Sequence, residues 1–336
     1  MNHVLIPAPL DLLILGGTGF LGPHMVASAL ARGHRVTLFH RGHGTGASPD
    51  PRLETLTGNR DSRIGPGLAA LAGTRRWDAV IDNSGYVPRH VHDSVELLQD
   101  RIRRYIFVST VSVYDPSAGL RIDEDSPLTA ATSSAVETVS ATTYGPLKAE
   151  ADRLVRAALG RRATVVRPNY VFGPGDHTDR FTYWVERVSR GGDILGPPHP
   201  TAGLQWVDVR DLCPWIISLA ERDQDGIFNA SGPQQPVSWD QLLHELALLG
   251  TVPARFRYAT PEVMATTGIR LPLVDPDGET LAISGAAAMA AGLHYRPLAD
   301  TARATRDWWR TQSAERRSRP QGWPAPELEQ EALRRL

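Results

Sequence analysis

Lysine is nearly absent from this chain. Lysine and arginine together number 36 in 336 residues, and Lys148 is the one lysine among them. A coding bias toward arginine is the simplest cause. A position that keeps lysine against that bias needs what arginine lacks: a compact ammonium with rotatable donors and a pKa that its surroundings can move. Cysteine is as scarce. The single Cys213 excludes an intrachain disulfide and a multi-cysteine metal site. Net charge is −1 at pH 7, so no global field draws the chain to nucleic acid or an anionic membrane. Long apolar runs are missing too. Residues 4–15 are apolar but broken by Pro7, Pro9 and Asp11, too short and interrupted to span a bilayer. No charged leader precedes them, so a cytoplasmic protein is expected, a monomer or homodimer with neither nucleic-acid nor membrane partners. There is no internal repeat, and residues 41–51, rich in Gly, His and Pro, read as the most flexible loop of the first half.

What is present reads first as a dinucleotide fold. Asp11–Leu15 is a short continuous apolar run, as expected of a strand buried on both faces of a parallel sheet. Gly16-Gly17-Thr18-Gly19-Phe20-Leu21-Gly22 follows at once and opens an amphipathic run to Arg32. Glycines 16, 19 and 22 allow a tight turn, a close backbone approach to a pyrophosphate and close helix–strand packing, and the helix N-terminus adds partial positive charge. Gly16, Thr18, Gly19, Phe20, Leu21 and Gly22 are therefore expected at the cofactor. The second strand, 35–40, ends on His40 and Arg41, where an NAD site carries an acid for the ribose 2′-hydroxyl. Arg41 can pair with a 2′-phosphate instead, so NADP(H) is preferred and NAD(H) stays possible. A solvent-facing arginine is the alternative.

A third strand, 53–56, leads to Asn59, within reach of the adenine edge. The fourth, 77–82, opens into Asn83, Ser84 and Gly85 beside the expected cofactor, and a helix over 91–101 returns the chain. The fifth, 105–110, carries Ser109 and Thr110 to the carboxyl edge, where ligands of open α/β sheets bind. Residues 115–140 read as an active-site rim rather than a packed element.

The lone lysine stands four residues after Tyr144, in Thr142-Thr143-Tyr144-Gly145-Pro146-Leu147-Lys148. A helix starting near Thr142 sets both side chains on one face. Pro146 fits the first turn, and Thr142 or Thr143 can cap. A phenol of pKa about 10 transfers protons poorly at neutral pH, and a nearby ammonium lowers that pKa. Tyr144 then acts as general acid or base, with Lys148 as its tuner. A surface tyrosine and a solvated lysine on an ordinary helix form the plainer alternative.

Gly16-x-x-Gly19-x-x-Gly22, Val108-Ser109-Thr110-Val111-Ser112-Val113-Tyr114 and Tyr144-x-x-x-Lys148 together resemble the short-chain dehydrogenase/reductase superfamily. The Val113-Tyr114 ending and Arg167-Pro168-x-x-Val171-Phe172-Gly173-Pro174 are similar to its extended, epimerase/dehydratase-like branch, over residues 11–309. The resemblance implies that Thr110 polarises the reacting oxygen and that Tyr144 transfers the proton as hydride moves. It also implies that Lys148 holds the nicotinamide ribose. Pro168 is placed with the cofactor-binding residues, and Ser109, Tyr170 and Tyr183 with the substrate. Two departures stand out. Members that dehydrate nucleotide sugars carry an acidic pair after this threonine, where Val111 and Ser112 stand here. Tyr170 replaces an asparagine found near the substrate diphosphate in nucleotide-sugar members.

The expected architecture is α/β, a doubly wound, mostly parallel Rossmann sheet with a smaller interleaved C-terminal substrate region. Residues 1–175 form the NAD(P)-binding domain and 176–336 the substrate lid, with 204–230 returning to the first. His177 beside Asp176 invites a metal reading, but a lone histidine in a polar loop is more often only that, and no metal is expected. Arg303, Arg306, Arg310, Arg316, Arg317 and Arg319 with Trp308 and Trp309 read as an exposed helix rather than an RNA surface. The expected function is a nicotinamide-dependent oxidoreductase on a carbonyl or secondary alcohol of a small molecule. One rival is an epimerase or isomerase using the cofactor transiently. Another is a cofactor-sensing or RNA-binding member without chemistry, although such members commonly lack the Tyr–Lys pair.

Overall fold

Leu12, Leu13, Ile14 and Leu15 have no exposed surface, because strand β1 (Asp11–Leu15) is covered on both faces. Burying side chains of this size contributes about 1.5–3 kcal/mol each, which makes the strand a strong organiser of its neighbours. The computed structural model describes residues 8–42, 50–131, 133, 135–275 and 277–336. Most of the 41–51 loop therefore lies outside the described residues.

After β1 come α1 (Leu21–Ala31), β2 (Arg35–His40), β3 (Leu53–Thr57), β4 (Trp77–Asp82), α2 (Pro88–Leu98) and β5 (Ile102–Val108). A two-residue β6 (Arg121–Ile122) lies in the long connection to α3 (Tyr144–Leu159), and β7 (Ala163–Pro168) and β8 (Tyr170–Phe172) follow. Then come α4 (Arg180–Ser189), β9 (Gly192–Gly196), β10 (Gly203–Asp208), α5 (Val209–Glu221) and β11 (Gly226–Ala230). The rest comprises β12 (Gly232–Ser238), α6 (Trp239–Ala247), β13 (Ala254–Tyr258), α7 (Pro261–Thr267), β14 (Ala282–Ile283), α8 (Ala286–Ala290), α9 (Leu298–Thr311), α10 (Ala314–Ser318) and α11 (Pro326–Arg334).

The central sheet has seven strands in the order β11-β7-β5-β4-β1-β2-β3, each parallel to its neighbours. Strand order turns back between β1 and β4, and in such sheets ligands bind outside the carboxyl ends at this switch point. Helices α1 and α5 cover one face over Leu12, Ile14, Met25, Ile106 and Ile216. Helices α2 and α3 cover the other over Leu13, Leu15, Val95, Phe107 and Val155. The fold is the doubly wound Rossmann type that the alternating pattern predicts. Strand β5 begins earlier than expected, because Arg103 and Arg104 mask its first half; Arg104 is buried, its guanidinium on Asp223 and the Arg161 carbonyl.

A separate apolar cluster, with Phe172, Phe181, Trp184, Trp206 and Trp239, builds the region beyond β8. Strands β8, β10 and β12 form one small sheet there, and β9 pairs with β13 in another. Two buried acids fasten the C-terminal segment to it. Asp179, at φ +53°, accepts from Arg316 at 2.6 and 2.8 Å and from the Gln321 N–H, and its carbonyl takes the Trp323 indole. Glu329 accepts from Arg187 and from the Leu195 N–H.

Candidate active site

The glycine turn after β1 is shaped by close contacts. Gly16 has φ +82°, and a Cβ there would lie 2.4 Å from that of Ser84; at Gly22 it would lie 2.2 Å from the Gly17 backbone. Neither place accepts a side chain. Asn83 Nδ2 donates to the Gly16 carbonyl at 3.0 Å and ties the turn to the end of β4. Thr18 and Gly19 are exposed, and a Cβ on Gly19 would meet no atom within 4 Å. Helix α1 starts without a side-chain cap, so its first N–H groups are left for an anion. This cradle fits the pyrophosphate of a nicotinamide dinucleotide.

At the end of β2, His40 is buried and its Nδ1 accepts from the Gly42 N–H at 2.9 Å. Arg41 is exposed and forms no ion pair among the described residues. Asn59, past the end of β3, has its Oδ1 on the Asp61 N–H.

Helix α3 delivers the Tyr–Lys pair. Gly145 lets its first turn press on the bend 111–113, since a Cβ would come 2.3 Å from the Ser112 carbonyl. No side chain caps this helix, contrary to the expectation for Thr142 or Thr143. The Thr143 hydroxyl turns back to the Thr138 carbonyl, and Thr142 meets Ser140. Tyr144 is largely buried, its ring 6.3 Å from that of Tyr86. Burial pushes its phenol up, Tyr86 adds to the rise, and the Thr110 hydroxyl and Arg180 pull it down.

Lys148 is 3% exposed. Its ammonium donates to the carbonyls of Gly85 (2.8 Å) and Val108 (2.7 Å) and lies 4.1 Å from the Phe107 ring centre. Burial brings it down to about 7; Asp82 and Asp152 support its charge, and Arg60 opposes it. Lys148 thus follows Tyr144 by one turn of α3, with its ammonium engaged by two backbone carbonyls.

Thr110, buried at the end of β5, accepts from the Ser112 N–H at 3.2 Å and donates to the Ser112 hydroxyl at 3.3 Å. The Ser109 hydroxyl is buried without a hydrogen-bond partner among the described residues. A cavity of about 470 Å³ gathers Phe20, Leu21, Asn83, Ser109, Thr110, Tyr144, Lys148, Pro168 and Tyr170. Gly85 joins them through its carbonyl, and the Ser84 hydroxyl accepts from Arg60. His40, Arg41 and Asn59 stand outside this cavity, by the ends of β2 and β3.

Tyr183 does not reach it. It packs inside the C-terminal cluster, edge-on to Trp184 and Trp323 at 4.9 and 5.6 Å, so its placement at the substrate is corrected. Phe172 and Phe181 likewise stack on each other at 4.1 Å and serve packing. Tyr86 and Gln205 in the cavity wall gave no signal in the sequence, whereas Asp176 was noted beside His177; Arg180 also lines the cavity. Arg180 sits 5.5 Å over the Tyr170 ring and forms no salt bridge among the described residues. Arg210 is bound bidentately by Asp208. His177 is exposed. Among the described residues, Asp61, His90 and Glu137 bring ligand-type atoms within 4.8 Å of one another. Arg89 already bonds Asp61 at 2.9 Å and Glu137 at 2.6 Å, making this an ion-pair network.

A parallel sheet with this glycine turn, and with threonine, tyrosine and lysine on its carboxyl edge, defines an extended short-chain dehydrogenase/reductase fold. Residues 12–231 match the NAD dependent epimerase/dehydratase family, and the chain belongs to it. It is 27% identical over 263 residues to the chloroplast stem-loop binding protein of 41 kDa b of Arabidopsis thaliana, covering 72% of this chain and 64% of that one. It is 28% identical over 171 residues to a UDP-glucose 4-epimerase of Neisseria meningitidis, covering 43% of this chain and 47% of the relative. The match thus spans less than two thirds of either relative's length. Among solved structures, UDP-glucuronic acid 4-epimerase from Bacillus cereus in complex with NAD superposes with a TM-score of 0.65 at 16% identity, over 90% of this chain and 99% of that one. The UDP-Glc/GlcNAc 4-epimerase of Campylobacter jejuni gives 0.67 at 15%, over 89% and 98%. At such identities the likeness is one of fold. Among the described residues no helix is long and apolar enough to cross a membrane.

Proposed function

We propose that the chain interconverts a secondary alcohol and a carbonyl in a small molecule that is not a nucleotide sugar, with NADP(H) as preferred cofactor. The convergence of Thr110, Tyr144 and Lys148 on one cavity at the sheet's carboxyl edge carries this reading. The bound nicotinamide supplies or accepts the hydride. Tyr144 gives or takes the proton at the substrate oxygen, and the Thr110 hydroxyl beside it orients that oxygen. Lys148, in the buried corner beside Tyr144, is placed to hold the cofactor ribose. Arg41, exposed at the end of β2, supports recognition of a 2′-phosphate. Tyr86, Tyr170, Leu204 and Trp239 give the cavity apolar and aromatic surface beside its polar groups. With Arg210 engaged by Asp208, a diphosphate would find Arg180 as its main guanidinium, which favours a substrate of lower charge.

The test is net formation of reduced or oxidised cofactor with a panel of small secondary alcohols and carbonyls. Tyr144→Phe and Lys148→Arg are expected to lose about 10²–10⁴-fold in turnover while melting like the parent. Parent-like turnover in either variant removes the assignment. The likeness to UDP-glucose 4-epimerase favours a second reading, in which hydride is taken and returned without net redox change. Calorimetric titration with UDP- and dTDP-sugars separates the two. Micromolar binding weakened by Arg180→Ala supports the epimerase.

A further inference from the structure

Beneath the active site lies a charged group that the mechanism above does not use. Asp82 ends β4 with no exposed surface. Its carboxylate accepts from both terminal nitrogens of Arg60, at 2.6 and 2.9 Å, and from the Tyr105 hydroxyl at 2.7 Å. It also accepts from the Ser84 N–H at 3.1 Å, so it bonds directly to the turn that follows the strand. Arg60 reaches on to the Ser84 hydroxyl and the His90 carbonyl, both at 3.2 Å. The next residue of that turn is Gly85, packed so tightly that a Cβ would lie 2.6 Å from Phe107 and 2.9 Å from the Asp82 carboxylate. The Gly85 carbonyl holds the Lys148 ammonium, which rests on the same Phe107 ring.

We propose that Asp82, braced by Arg60 and Tyr105, is a positioning residue for Lys148: it fixes the turn bearing the Gly85 carbonyl and supplies the buried counter-charge for the ammonium. The charges facing Lys148 come from three elements. Asp82 acts from β4, Asp152 from α3 itself, and Arg60 from beyond β3. Tyr86 and Phe107 add only ring faces. Asp152 is paired with Arg167 at 2.9 Å, so its field is largely matched. The Asp82–Arg60 pair is the balance that can tip. Burial raises the Asp82 pKa, but Arg60, Tyr105 and Lys148 reverse this and hold it below the usual carboxylate range. It is therefore an anion at neutral pH. Without it, Arg60 becomes an uncompensated cation beside a buried ammonium, and such a neighbour disfavours the charged form.

The inference rests on the catalytic reading of Lys148 only for its consequence, and its test needs no turnover. Because Lys148 is the one lysine, protein labelled with ¹³C at lysine Cε gives a single side-chain resonance whose pH titration reports that amine directly. Asp82→Asn is expected to lower the midpoint by about one pH unit or more, and Arg60→Gln to raise it by a similar amount. The double variant should fall between them. General loosening of the fold would move both single variants the same way, whereas the counter-charge role demands opposite signs. If Asp82→Asn alone does not fold, Arg60→Gln and the double variant differ by the same charge, and the double must titrate lower. Equal midpoints in parent and Asp82→Asn, same-direction shifts in both singles, or equal midpoints in Arg60→Gln and the double variant overturn the proposal. Inactivity of the parent on every substrate would sink the proposed reaction and leave this result standing.

Discussion

An ammonium enclosed by two carbonyls and a phenyl ring ties folding to pH. Lys148 is brought down to about 7 in the folded chain, against an unfolded value of 10.5. Between these values the unfolded chain binds more protons, so the lysine's contribution to stability is complete above the unfolded value and is lost as pH falls through about 7. Lys148→Met removes that titration. The melting temperature of the variant minus that of the parent is expected to be largest near pH 6 and to shrink toward pH 9. Circular-dichroism melts across that range check it, and a difference independent of pH would contradict a depressed lysine. Tyr144 and Lys148 were legible in the sequence because a scarce residue stood one helical turn from a phenol. What the ammonium would touch was not, since its two acceptors lie 63 and 40 residues away in the chain. Asp82 was visible as an acid ending an apolar strand. Its partner Arg60 was hidden in a loop read only for Asn59.

Buried strands announce themselves more plainly than edge strands. β1, β2 and β4 are mostly buried and apolar, and fell where the sequence placed them. β13, with alternating exposed arginines at 255 and 257, gave no such signal, and its parallel pairing with β9 depends on register between distant segments. The return at 203–221 was readable through chemistry: Asp208 accepts from the Arg210 N–H and caps α5. The end of β2 carries the sharpest element-level prediction. Arg41→Asp replaces a phosphate partner with an acceptor for ribose hydroxyls. The ratio of NADP(H) to NAD(H) affinity is expected to fall by about tenfold or more, the scale of one charge-assisted hydrogen bond. Dissociation constants for both cofactors settle it, and an unchanged ratio would show that Arg41 does not read the 2′-position.

Across the molecule, the dinucleotide half was legible because local pattern and global topology agree there. The other half resisted, because the contacts that fasten its C-terminal segment join residues more than a hundred positions apart. Arg316, read from sequence as part of an exposed basic tail, is held on Asp179 and lies 5.0 Å over the Trp309 ring. Arg316→Ala leaves a buried carboxylate short of its partner and is expected to cost about 3–5 kcal/mol. Urea unfolding measures this, and a loss under about 1 kcal/mol would mean that Gln321 and Trp323 suffice to hold the segment. The same fastening has a meaning for synthesis. A ribosome releases residues in order and domains fold as they emerge. The last strand of the central sheet is complete at Ala230, whereas Arg316, Trp323 and Glu329, which clamp α4 and β9, come out nearly a hundred residues later. The nascent protein acquires its nucleotide cradle first, and the far wall of its cavity is secured only when those late residues arrive.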